Sequence, residues 1–188
     1  MESDMKASTP EPHREHSVQF YRDDESLTKT LSRFVREGLN ARQPVVVIAT
    51  ADHRERLMER LVEDGMPRDY FERAGSMWLL DAREVLDEFM DGEMPDPSVF
   101  LEVVGRVIEA ARAAGGGGSV RAYGEMVDLL WKDGNPEAAI RLETLWNLLA
   151  ASEQLTLLCG YAIGNFYKTN GGFDIGDVCH VHARVLPA

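Results

Sequence analysis

Apolar positions along the chain alternate between two rhythms. Short runs of continuous or every-second apolar residues are strand-like; longer stretches with apolar residues three and four apart are helical. His16 to Tyr21 alternates and predicts a first strand. A helix follows from about Glu25 to Asn40, with Leu27, Leu31, Phe34, Val35 and Leu39 as its buried stripe and Asp23 or Asp24 as its cap. Pro44 to Ala49 is a β-branched run, the pattern of a strand covered on both faces. Asp52 to Asp64 predicts a helix that buries Leu57, Met58, Leu61 and Val62 and stops at Gly65. Ser76 to Asp81 predicts a strand, and Val85, Leu86, Phe89 and Met90 mark the helix after it. A loop over 91–97 leads to a helix from Ser98 to about Ala114, ended loosely by Gly115 to Gly118. Val120 to Tyr123 and Leu155 to Tyr161 predict two more strands. Between them Asn135 suits an N-cap and Pro136 a first helical position, before the stripe Leu142, Leu145, Trp146 and Leu149. After Asn165 the chain is loop-like, with one short last element in VCHVHARVLP. Strands alternating with helices predict an α/β fold: a mostly parallel central sheet with helices on both faces.

The polar residues embedded between Ser119 and Asn147 are the informative feature. On a strand, Arg121, Tyr123 and Glu125 share one face. A sheet covered on both faces leaves such charges in need of partners. Glu143 shares a helical face with Trp146 and Asn147. Arg121, Glu125 and Glu143 are therefore expected to meet in one buried charge cluster. Two readings stand: a structural ion-pair network, or a ligand pocket at the carboxyl ends of the strands.

Charge and composition narrow the classes. The 188 residues are 44% hydrophobic, enough for one globular domain, residues 15–188, behind a polar tail of residues 1–14 expected to be disordered. A net charge of -12 argues against a direct grip on nucleic acid or an anionic membrane. No apolar run reaches the ~20 residues of a spanning helix, and no signal-peptide core is present. The two cysteines, Cys159 and Cys179, are expected as reduced thiols in a cytoplasmic protein.

The first strand–helix junction, Arg22-Asp23-Asp24-Glu25, has no glycine and three carboxylates, so no phosphate cradle is expected there and no nucleotide hydrolysis. Cys179, His180, His182 and Cys159 are metal-ligand types, but they lack the paired spacing of a zinc site. A packed core cysteine and histidine is the expectation, with no metal and no cofactor. No nucleophile elbow exists, and Cys159 sits mid-strand as a small hydrophobe.

Five segments in order then carry a resemblance. They are His16 with Phe20-Tyr21-x-Asp23-Asp24; Glu37-Gly38-Leu39 before PVVVIAT; Arg121-x-x-Gly124-Glu125-Met126 with Leu130-Trp131; Leu142-Glu143 with Trp146-Asn147; and Leu158-Cys159-Gly160-Tyr161. Together they resemble the MEDS domain, the methanogen/methylotroph DcmR sensory domain, over roughly His16 to His182. The resemblance implies a RecA-like fold related to KaiC-type ATPases but without their phosphate loop. It also implies a cytoplasmic sensory module for small hydrocarbon-type compounds, joined in the family to a histidine kinase, a DNA-binding domain or an anti-sigma-type output. In this chain only a few residues follow His182, so it is expected to be either a stand-alone sensor or the front end of a longer protein.

The expectation is a non-enzymatic ligand sensor, with a small molecule at the strand carboxyl ends. Arg121, Tyr123, Glu125, Trp131, Glu143 and Trp146 are the candidate ligand-binding residues, and the resemblance adds His16 and Tyr21. The alternative is a protein–protein interaction module regulating a kinase or anti-sigma partner, its polar cluster a filled core. A degenerate enzyme using Glu125 or Glu143 as base is a third reading. A homodimer is expected by analogy with other sensory modules.

Overall fold

The computed structural model describes residues 15–67, 76–167 and 172–186. The expected tail, residues 1–14, lies outside them. Six strands form one sheet, β1 (Glu15–Tyr21), β2 (Val45–Ala49), β3 (Met77–Asp81), β6 (Val120–Gly124), β7 (Leu155–Ala162) and β8 (Arg184–Leu186), in the order β3-β2-β6-β7-β1-β8. Every pair in it is parallel. The loop expected over 91–97 contains a small antiparallel hairpin, β4 (Met90–Asp91) with β5 (Met94–Pro95). Gly92 makes this turn with φ 61, a left-handed conformation that glycine adopts without strain.

Helices α1 (Asp24–Asn40) and α2 (Ala51–Glu63) cover one face. Leu27, Leu31, Val35, Leu57 and Leu61 bury against Val45, Val47 and Ala49 there. The other face carries α3 (Ala82–Phe89), α4 (Pro97–Ala114), α5 (Met126–Lys132), α6 (Pro136–Ser152) and α7 (Ile175–His180). Their apolar stripes pack on Val46, Ile48, Val120, Ala122 and Leu157. Alternation along each central strand thus feeds two cores, which explains why β2 reads as a continuous apolar run.

Local signals set the helix ends. Asp23 caps α1 in a capping box with Ser26, and the Asn135 side chain accepts from Ala138 N–H at 3.1 Å ahead of Pro136. Gly160 on β7 is required by packing, because a Cβ there would run into the Tyr123 hydroxyl. Gly38 on α1 is required likewise, since its Cβ would stand 2.8 Å from both Arg121 Cδ and a Val45 methyl. Among the described residues no helix is long and apolar enough to cross a membrane.

The topology fixes where side chains gather. The chain leaves β2 toward β3 and its neighbour β6 toward β7, in opposite directions across the sheet. It does the same at β1 and β7. Open α/β sheets form crevices at the carboxyl ends of strands at such points.

Candidate functional site

Among the described residues two buried polar centres stand out, one at the carboxyl end of the sheet and one inside the α6 face. The outer centre is built from Glu125 and Asp128. Glu125 follows β6 and caps α5. Its Oε1 accepts from the Thr50 backbone N–H, just beyond β2. Its Oε2 accepts from the Tyr123 hydroxyl at 3.0 Å and faces His53 Nδ1 at 2.7 Å. Asp128, in the first turn of α5, accepts from Ala162 N–H at 3.0 Å, Asn165 Nδ2 at 2.8 Å and the Tyr21 hydroxyl at 3.2 Å. His53 Nε2 points outward to the half-exposed Asp24 at 3.4 Å. Two hydrogen-bonded groups, on Glu125 and on Asp128, thus meet at the ends of β1, β2, β6 and β7, where the Tyr21 ring stands edge-on to His53, and their open side is at His53 and Asp24.

Burial pushes the Tyr21 and Tyr123 phenols well above their ordinary range, with nearby carboxylates adding to it. Both remain protonated donors. Burial also raises Asp128, against the hydrogen bonds from Asn165, Ala162 and Tyr21. At His53 burial opposes the charge, but the hydrogen bonds and attraction of Glu125 and Asp24 outweigh it and raise its pKa. When protonated, the ring donates to a carboxylate from each nitrogen.

The inner centre joins His16 at the start of β1, Glu143 on α6, Cys159 and Tyr161 on β7, and His182 between α7 and β8. His16 Nε2 stands 3.3 Å from both Cys159 Sγ and Glu143 Oε2. Cys159 Sγ is 3.4 Å from Glu143 Oε2, and the Tyr161 hydroxyl donates to Glu143 Oε1 at 2.9 Å. His182 Nε2 lies 3.4 Å from Glu143 Oε1 without forming a well-directed hydrogen bond. Both histidine–glutamate pairs are shut off from solvent. Burial opposes the Glu143 charge, but His182 and His16 outweigh it and hold its carboxyl well below the usual carboxylate range. Burial, and then Glu143, push the Cys159 thiol well up. Among the described residues, His16, Glu143, Cys159 and His182 are the group with metal-ligand geometry.

Both centres fall within one family match. The family model for MEDS, the methanogen/methylotroph, DcmR sensory domain, matches residues 15–183. The chain belongs to the MEDS family. Neither the comparison with curated proteins nor that with solved structures found a match.

This MEDS domain divides the residues that the sequence grouped. Tyr21, Tyr123 and Glu125 meet at the outer centre; His16 and Glu143 meet at the inner one. Arg121 joins neither, so the expected Arg121–Glu125–Glu143 cluster is corrected. Arg121 pairs with Val45 and Thr156 near the amino ends of their strands. Its guanidinium donates to the Phe34 carbonyl at 2.7 Å and to Glu37 at 3.1 Å, and lies over the Phe34 ring. Strand alternation places it on the face of Tyr123 but four residues, about 13 Å, from Glu125. Glu143 is on the opposite face. On its own face Arg121 lines an open groove of about 520 Å³ with Thr30, Arg33, Thr156 and Arg184; neither centre opens into it.

Trp131 and Trp146 are core residues of the MEDS domain. Trp131 packs on Phe166 and edge-on to Tyr161; Trp146 meets Phe100 edge-on and lies against Gly124. His53 and Asp128 went unrecognised in the sequence. Asp128 carried a signal, a carboxylate in the otherwise apolar run MVDLLW. His53 sits one turn into a charged helix, where nothing marked it. Of the residues weighed as metal donors, Cys159 and His182 reach the inner centre. Cys179 is partly buried and His180 exposed, outside that group.

Proposed function

We propose that this MEDS domain is a non-enzymatic small-molecule sensor whose ligand is met at the outer centre. The family is a sensory one, and the observation that carries the finer reading is the convergence of Tyr21, His53, Tyr123, Glu125 and Asp128 from separate elements at the strand carboxyl ends. Two tyrosine hydroxyls, an imidazole and two carboxylates offer donors and acceptors to a small polar group. Displacing them would loosen the junction of α1, α2 and α5, the kind of differential contact a signal requires. The acidic turn that starts α1 supports a domain related to KaiC-type ATPases without nucleotide hydrolysis. Its output then passes through a partner such as a histidine kinase or transcription regulator.

Native mass spectrometry of the freshly purified full chain, followed by thermal shift against one-carbon and short-chain hydrocarbon derivatives, tests this. A retained or stabilising compound whose effect disappears in Glu125→Gln and Tyr21→Phe is the expected result. A specific observation favours a second reading. The acceptors of the outer centre are already satisfied within the protein, as in an interaction module with a filled core. If no compound binds and both variants still engage their output partner, the second reading replaces the first.

A further inference from the structure

We propose that the inner centre is a closed metal site, in which His16, Glu143, Cys159 and His182 hold one tetrahedral divalent ion, zinc by donor type. The decisive feature is which atoms face inward. Asn147 Nδ2 donates to the Val181 carbonyl at 2.8 Å, which leaves Asn147 Oδ1 as an acceptor. His16 Nδ1, 3.0 Å from that oxygen, must carry a proton. His182 Nδ1 lies 2.7 Å from the Val178 carbonyl and must carry one too. Each ring then turns its Nε2 toward the same carboxylate, where that nitrogen takes either a proton of its own or a cation shared with the carboxylate.

Histidine ligands show this same arrangement: one ring nitrogen donates to an outer acceptor while the other binds metal. The Tyr161 hydroxyl supplies an outer partner to Glu143 in the same way. His182 Nε2 is moreover a fully buried polar atom with no hydrogen-bond partner.

The spacing fits. Donors held ~2.0–2.3 Å from a tetrahedral zinc stand roughly 3.3–3.7 Å from one another. His16 Nε2, Cys159 Sγ and Glu143 Oε2 form a triangle with sides of 3.3, 3.3 and 3.4 Å, one face of such a tetrahedron. His182 Nε2 is the fourth corner, and all four ligating atoms lie within 4.8 Å of one another. The charges also balance. On binding, the cysteine gives up its proton, and thiolate, carboxylate and two neutral imidazoles neutralise a divalent ion in a site that water does not reach. Four protein ligands leave no open position, so the ion would be structural, fastening β1, α6, β7 and the turn before β8.

Metal exchange on the full chain tests the proposal. Protein stripped of metal and loaded with cobalt(II) should take up a single ion per chain, with the intense visible bands of tetrahedral cobalt and a thiolate-to-cobalt charge-transfer band. Cys159→Ser should lose the charge-transfer band, and Cys179→Ser should keep it. Asn147→Ala touches no ligand atom but frees the His16 ring, and should weaken zinc binding about 10–100-fold. Two results would overturn the site: folded wild-type protein that gives no tetrahedral cobalt spectrum, or a charge-transfer band that follows Cys179 instead. Because the wild-type spectrum decides the first, the test survives a variant that fails to fold.

Discussion

The outer and inner centres are built from the same residue types, yet their hydrogen bonding differs. At the outer centre every donor meets an acceptor: two tyrosines, two backbone amides, an asparagine and the His53 ring face two carboxylates. At the inner centre two histidine Nε2 atoms converge on one carboxylate, while each Nδ1 is taken by an outer oxygen. The first arrangement is complete in itself and can exchange one partner for another. The second gathers four donors round one point, the place proposed for the ion. Burial alone does not assign a role to a charged group; what its donors and acceptors converge on does.

Breaking the inner centre should have the largest effect. Glu143→Ala removes the carboxylate on which both histidine Nε2 atoms converge and leaves the Tyr161 hydroxyl buried without an acceptor. Losing one partner of a buried charge pair costs ~3–5 kcal/mol, a large part of a domain's stability. Chemical denaturation should show an unfolding free energy lower by that order, and near-wild-type stability would mean that the centre is open to water. Chelation is the gentler version. A site saturated a thousandfold above its Kd contributes ~4 kcal/mol. At about 2–4 °C per kcal/mol for a domain of this size, removing the ion should lower Tm by roughly 10 °C. An unchanged melt in excess chelator would count against the metal.

Arg121→Ala is expected to be milder, about 1–2 kcal/mol, because it loses a hydrogen bond to Phe34 and packing on its ring but strands no buried carboxylate. Its sharper content is negative: the His53 titration should not move. If it does, Arg121 and the outer centre are coupled after all.

These two outcomes bear on how much was legible in the sequence. The central strands and long helices were readable to within a residue or two, because their apolar rhythm and caps are local. The carboxyl end of the sheet was readable as a place for chemistry, and Tyr123 and Glu125 lie there. What alternation cannot supply is the depth of a residue along a strand relative to its neighbours, which is why Arg121 was grouped with Glu125. Nor can it show which residues on different strands share a face. His16, Cys159 and His182 are joined to Glu143 only by the pairing of β1 with both β7 and β8. No spacing in the chain announces such a ligand set, since its members lie on four separate elements.

The smallest expected effect is in pH. His53 has a raised pKa in the folded state, so the folded protein holds this proton at a pH where the unfolded chain has released it. Its stabilisation is complete below the unfolded value of about 6.5 and fades as pH rises through the folded value. Thermal melts from about pH 6 to about pH 9 should therefore show a decline that His53→Gln flattens. An equal slope in the variant would assign the decline to other groups.

The contrast between the centres is tested most directly by long-range proton–nitrogen NMR of the histidine side chains in the full-length protein. The account predicts that His16 and His182 both carry a proton on Nδ1, and that neither is the neutral tautomer protonated on Nε2. It predicts that His53 titrates with a midpoint above the ordinary ~6.5. A neutral His16 or His182 protonated on Nε2 would contradict the account, because that proton would point into the space assigned to the ion.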